Sequence, residues 1–282
     1  MTQTQKSKKV PIIIAALVVV IGIAAALIFR FVLTPQQNYQ KALDAITAGD
    51  YLTAETLLTE LGDYKDASAK LSEIAEPLYW AKLAAAQPGD IVTYGSYEQD
   101  NNTANGNEAI QWRVLDNQGG KLLLIVNNGL ECVPYHTEYT DITWENCYMR
   151  QWLNNDFIAK AFTAEEQSRI QSVTLKNDDH PTYGTEGGND TVDKVFLLSL
   201  TELETYLPEK ESRQILPSDY MAANGSLTSQ GGGTYAWWFL RSPGINASAA
   251  SNVYGSGVLN TPGNDVNYST GAARAVLWID CN

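Results

Sequence analysis

The chain has 282 residues, 44% of them hydrophobic and seven of them Trp, enough for one domain of about 190 residues with a full core plus smaller pieces. Its formal net charge is −13; with Lys6, Lys8, Lys9 and Arg30 set aside, 15 basic residues face 32 acidic ones beyond residue 33, a body charge of −17. Such a surface repels phosphate backbones, and no cluster of Lys or Arg follows residue 30, which excludes a nucleic-acid partner.

The first element in chain order is the run 10–29, twenty residues without a charge. At about 1.5 Å per helical residue it is long enough to cross a hydrocarbon core of about 30 Å. Lys6, Lys8 and Lys9 precede it, so the positive-inside tendency keeps the N-terminus in the cytoplasm and places everything after Leu33 outside. The run exceeds the apolar region of a cleaved signal, about 7–15 residues. The expectation is a cytoplasmic basic tail at 1–9, an uncleaved transmembrane signal anchor at 10–33, and a single-pass protein of the cell membrane whose C-terminal domain is extracellular.

Residues 39–48, 52–61 and 67–86 are rich in Ala, Leu, Glu and Lys, with apolar residues such as Ala42, Leu43 and Ile46 at helical spacing. Gly-Asp-Tyr occurs at 49–51 and again at 62–64; Gly closes one helix and Asp opens the next, so each copy marks an interhelical turn. Tyr51, Ala54, Leu57, Leu58, Leu61, Tyr64 and Ala67 resemble a single tetratricopeptide-type hairpin. Arrays of this kind need about three units to bury a face, so residues 34–87 read as a helical stalk rather than a peptide-binding groove.

Pro88-Gly89 breaks the helix and opens the main domain, 88–282. Strands are expected at 91–97, at 109–115 with Ile110, Trp112 and Val114 on one face, and at 121–126. The loop 100–108 is rich in Asp and Asn but fails the spacing of an EF-hand, because Ala104 stands where an oxygen ligand belongs and Gly106 is one step late. A helix starts at Thr143, with Trp144, Tyr148, Trp152 and Phe157 near one face, and Thr163 with Glu166 forms a capping box for another. A strand at 194–199, short helices at 201–207 and 218–224, and strand and turn alone from Thr234 complete an α+β pattern.

The motifs GDIVTYGSYEQD at 89–100, IQWRVLD at 110–116, the run at 135–157, GGNDTVDKVFLLS at 187–199, WWFLRSPG at 237–244 and the terminal RAVLWID stand in order across 88–280. Together they resemble a bacterial extracellular domain family of unknown function, often fused to membrane anchors and small helical repeats in Gram-positive bacteria. By further analogy the resemblance implies the C-type-lectin-like fold of formylglycine-generating enzymes and of the variable proteins of diversity-generating retroelements. The family usually has Pro after the terminal Arg, whereas Arg274 is followed by Ala275.

Chemistry-bearing residues are sparse. Two histidines, His136 and His180, cannot make a three-histidine iron site, and Cys132, Cys147 and Cys281 do not form a late reactive pair. Cys132 and Cys147 could close a disulfide or stay reduced. The sugar-binding signatures Glu-Pro-Asn and Gln-Pro-Asp are absent. No cofactor or metal and no catalytic constellation are expected.

From Gly244 to Gly271 the chain contains no Lys, Glu, Gln, Met or Trp, only small, β-branched and Tyr residues, the composition of an adaptable recognition surface. All are reachable from an Asn codon by changing adenines alone, which makes the run a candidate for diversification, although tight turns select the same residues. The expected ligand-binding residues are Trp237 as the outward member of its pair, Arg241, Asn246, Tyr254, Asn260, Asn264, Asn267 and Tyr268, against a structural salt bridge or stacking role inside the domain for at least one of Arg241 and Arg274. The expected function is non-catalytic binding of an extracellular protein, peptide or glycan, against two alternatives, an enzyme of the sulfatase-modifying-factor type or a structural envelope protein.

Overall fold

A computed structural model describes residues 18–24, 26, 27, 29–225 and 233–282. The chain divides into two compact units, Met1–Lys82 and Leu83–Asn282.

In the first unit the apolar helical residues run through a π-helical turn at Phe29–Leu33, which carries Arg30, into the Gln- and Asn-bearing helix Thr34–Ala48. Among the described residues no helix is long and apolar enough to cross a membrane. The expected transmembrane helix at 10–33 is corrected accordingly: its described residues run on into Arg30 and the polar helix that follows, while residues 10–17, 25 and 28 of the span lie outside the described residues, as does the tail 1–9.

Gly49 ends the helix Thr34–Ala48 at φ +76°, and Asp50 accepts a hydrogen bond from Thr53 N to open the helix Tyr51–Leu61, as the Gly-Asp-Tyr signal requires. The second copy works differently. Gly62 also has positive φ, but Asp66 rather than Asp63 precedes the helix Ala67–Glu73, and its carboxylate accepts from the Tyr39 hydroxyl. Ala42, Ala54, Leu58, Ala67, Ile74 and Leu78 form the buried core of this unit. The single helix expected at 67–86 is two, Ala67–Glu73 and Ala75–Ala85.

The second unit is α+β. Its main sheet is antiparallel with strand order β1-β2-β3-β10-β6, where β1 is Ile91–Tyr97, β2 Glu108–Asn117, β3 Lys121–Val126, β6 Val195–Phe196 and β10 Val276–Asp280. β3 is a continuous apolar run because both of its faces are covered; only Lys121 at its start is exposed. The bulge in β1 between Thr93 and Ser96 needs Gly95 at φ +68°, since a Cβ there would lie 2.6 Å from Ala161 O and from the Phe162 ring.

The helix expected from Thr143 is broken into a 3-10 turn, Trp144–Asn146, an α-turn, Tyr148–Trp152, a π-turn, Leu153–Phe157, and Ile158–Ala161. It lays Phe157 and Phe162 against the first strands, with Phe162 at 5.3 Å from Tyr94 and 6.2 Å from Trp112 between ring centroids. Thr163 and Glu166 form the expected capping box, and Ser199 with Glu202 forms a second one that starts the helix Leu200–Tyr206.

Two further sheets follow: β4 (Val173–Leu175) with β5 (Thr191–Asp193), and a three-stranded sheet of β7 (Trp238–Pro243), β8 (Ala249–Val253) and β9 (Leu259–Asp265). β8 lies in the middle and all five of its residues are buried, whereas β9 is an edge strand with no fully buried residue.

Candidate functional site

The eight expected ligand-binding residues fall into three places. Trp237 and Arg241 are in the core, at 0% and 4% exposure. Trp237 packs edge-on against Phe239 at 4.8 Å and against Gly271, where a Cβ would meet its ring at 2.6 Å, so the outward role expected for it is corrected. Both indoles of the pair are buried because β7 is covered on both faces: Trp238 Nε1 donates to Arg213 O at 2.9 Å, and Trp238 carries the guanidinium of Arg274 on its ring at 4.7 Å.

Arg241 is corrected in the same way. Its Nη1 and Nη2 form a bidentate pair with Glu202, and they also donate to Leu197 O at 2.8 Å and Lys176 O at 3.2 Å. One Glu202 oxygen also accepts from Ser199 N at 2.9 Å, so a single carboxylate both caps a helix and neutralises the buried cation. Arg274 is fully buried as well; it donates to Val126 O at 3.2 Å and Arg213 O at 3.1 Å, and burial pulls its pKa down to about 9.

The other six split along the sheet. Tyr254 and Asn260 sit at the β8–β9 hairpin end, where Tyr254 N donates to Val258 O and Asn260 Nδ2 to the buried Asn252 Oδ1 at 2.8 Å. Asn246, Asn264, Asn267 and Tyr268 sit at the opposite end, four residues along β9 from Asn260, or about 13 Å at strand rise.

That second end gathers exposed residues that the composition of 244–271 did not reveal. His136 N donates to Val266 O at 2.8 Å and Ile142 N to Ala247 O at 3.0 Å, which lays the segment 136–142 along this rim. It carries Tyr139, 61% exposed. Ile245, 53% exposed, is fixed by its N–H to Pro262 O at 2.8 Å, and Tyr268 is 42% exposed. The loop carrying Tyr183 joins β9 next to Pro262, because His180 Nε2 lies 3.2 Å from Thr261 O. Its Nδ1 accepts from Thr182 N at 3.0 Å and Tyr183 N at 3.2 Å. These contacts fix the tautomer with the proton on Nε2; burial lowers the pKa of His180, and the ring is held neutral. The sequence signal for Tyr139 was a Tyr- and Thr-rich run between two strand-free stretches, which names no face until it is pinned.

Two of the three cysteines and one aspartate are buried in structural roles. All three cysteines are free, which closes the disulfide alternative left open at Cys132 and Cys147. Burial pushes Cys147 and Cys281 up to about 12, far from the thiolate a nucleophile needs. Buried Asp193 accepts from Arg150 Nε at 2.6 Å, Thr191 Oγ1 at 2.7 Å and Trp144 Nε1 at 3.1 Å.

Glu98, Asp100 and Glu108 bring carboxylate oxygens within 4.8 Å of one another at the loop that lacks EF-hand spacing. Those oxygens accept from the loop's own amides: Glu98 from Asn102 N, and Glu108 from Gln99 N and Asp100 N.

A family model described as a domain of unknown function, DUF6273, matches residues 119–281. No curated protein and no solved structure matches the chain. The family match covers more than half of the 282 residues, and the chain belongs to that family.

Proposed function

We infer that this protein is a non-catalytic recognition module whose ligand-contacting face is the end of the β7–β9 sheet that bears Asn246, Asn264, Asn267 and Tyr268, completed by Tyr139 and Ile245. The observation that carries this reading is the convergence of three chain segments on one rim through backbone hydrogen bonds, each presenting an exposed Tyr or Ile beside Asn side chains. Tyr supplies rigid amphipathic contact area at low entropic cost and Asn supplies adaptable hydrogen bonding, the pairing that recognition surfaces use. The ligand class is a protein, a peptide or a glycan.

The C-type-lectin-like reading of residues 88–282 belongs with this proposal. It is supported by β10 returning between β3 and β6, so that both ends of the unit meet in one sheet, and by a separate three-stranded sheet that lies between β6 and β10 in the chain. The bound state of Arg241, Asp193, Cys147 and Cys281 speaks for binding rather than turnover.

Glycan and peptide arrays probed with the full chain test the reading. Features captured by the parent are expected to be lost with Tyr139→Ala/Tyr268→Ala and retained with Tyr254→Ala. Equal capture by the double variant would place the site elsewhere.

A further inference from the structure

Among the described residues five buried side-chain polar atoms lack a hydrogen-bond partner, and two of them, Arg241 Nε and Asn177 Oδ1, belong to neighbouring walls of one cavity. That cavity, of about 30 Å³, lies between the 176–187 loop, the start of the helix Leu200–Tyr206 and the end of β7. Arg241 is 4% exposed, and its two Nη atoms are fully engaged with Glu202, Leu197 O and Lys176 O. Asn177 is anchored through Nδ2 to Asn189 O at 2.7 Å, which fixes which of its amide atoms is left over.

The two orphan atoms are complementary in kind. Nε–H can only donate and a carboxamide oxygen can only accept, so the matching occupant must do both. Charge narrows it further. Glu202 already neutralises Arg241, Lys176 pairs with Asp190 at 2.9 Å, and Asp178 and Asp179 also line the cavity. An anion would find no unmatched cation there and would meet carboxylates; a cation would face the guanidinium. At about 30 Å³ the cavity is large enough to admit a hydroxyl group.

We propose that this cavity is a binding subsite for one uncharged hydroxyl group of a carbohydrate, which accepts from Arg241 Nε and donates to Asn177 Oδ1. It goes beyond the rim and stands on the cavity's own atoms. Ser242 and Pro243 of its wall lead within two residues to Ile245 of the rim, so one extended glycan could occupy both. Failure of either site leaves the other testable.

The test is the ¹⁵N–¹H resonance of Arg241 Nε in the full chain, titrated with glucose and separately with acetate and methylammonium. A saturable shift with glucose, absent with both charged solutes, is the expected result. The Asn177→Leu variant should bind glucose about tenfold more weakly, the effect of one lost hydrogen bond. No response to glucose in the parent means an ordered water only and overturns the proposal. So does an equal response to acetate, or an Asn177→Leu titration that matches the parent. If the backbone amides show that Asn177→Leu has lost its fold, the parent's titrations decide alone.

Discussion

Glu202 is the residue on which the buried Arg241 depends, and removing its charge alone is the sharpest perturbation of the core beneath the candidate site. In Glu202→Gln the helix keeps an oxygen for the Ser199 amide, but a guanidinium whose side chain is 3% exposed loses its counter-charge. Breaking one side of a buried pair costs about 3–5 kcal/mol, because the remaining charge stays desolvated. Glu202 is 30% exposed, and Leu197 O and Lys176 O still accept from the cation, so the low end applies, about 3 kcal/mol. Removing both charges in Glu202→Gln/Arg241→Met should recover part of that loss, since an apolar replacement of similar volume no longer carries a buried charge. Urea unfolding followed by Trp fluorescence reads the 83–282 unit, which holds six of the seven Trp. A Glu202→Gln cost below about 0.5 kcal/mol, or a double variant less stable than either single one, would refute the dependence.

Trp112 is fully buried and its Nε1 donates to Tyr94 O at 2.7 Å, so Trp112→Ala should cost about 3–5 kcal/mol in the same assay, while Tyr139→Ala should stay within about 0.5 kcal/mol. Stability should fall as pH drops: with the folded pKa of His180 lowered, the unfolded chain takes up the proton first, so the loss begins near the ordinary value of about 6.5 and grows toward the lowered one. His180→Asn, which cannot titrate, should flatten that part of the pH profile; an unchanged profile would mean that another group sets it. Thiol titration of the native chain should be slow at Cys147 and Cys281 and should reach three thiols on denaturation without reductant; fewer than three would reveal a disulfide.

The main sheet was legible because β1, β2 and β3 announce themselves by alternation or by an unbroken apolar run, and Thr163 marks a helix start through a local hydrogen bond; Ser199, read as the end of a strand, is instead the cap of the helix Leu200–Tyr206. The last fifty residues were misread where composition stood in for burial. Ala249–Val253 looks like turn material, yet Ser251 Oγ has oxygen partners in Pro243 O at 2.8 Å and Thr261 O at 3.0 Å, which lets a polar strand sit at the centre of a sheet. A structural salt bridge or stacked Arg was the alternative for Arg241 and Arg274, and both are buried in that way; the partner of Arg241 lies 39 residues upstream, a separation that no local pattern reports. Tyr139 was missed for the same reason: more than a hundred residues separate it from the rim it completes. Substitutions at the buried Ser251, Asn252 or Val253 would strike the core, whereas Asn246, Asn267 and Tyr268 are exposed.

The central claim is that one end of the β7–β9 sheet, rather than the whole run 244–271, meets the ligand. The measurement that tests it most directly is the affinity of the full chain for whichever array feature it captures, compared across Tyr139→Ala, Tyr268→Ala, Tyr254→Ala and Asn260→Ala. The rim variants should each weaken binding about tenfold or more while the hairpin-end variants stay within about twofold. Loss confined to Tyr254 and Asn260, with Tyr139 and Tyr268 silent, would contradict the account.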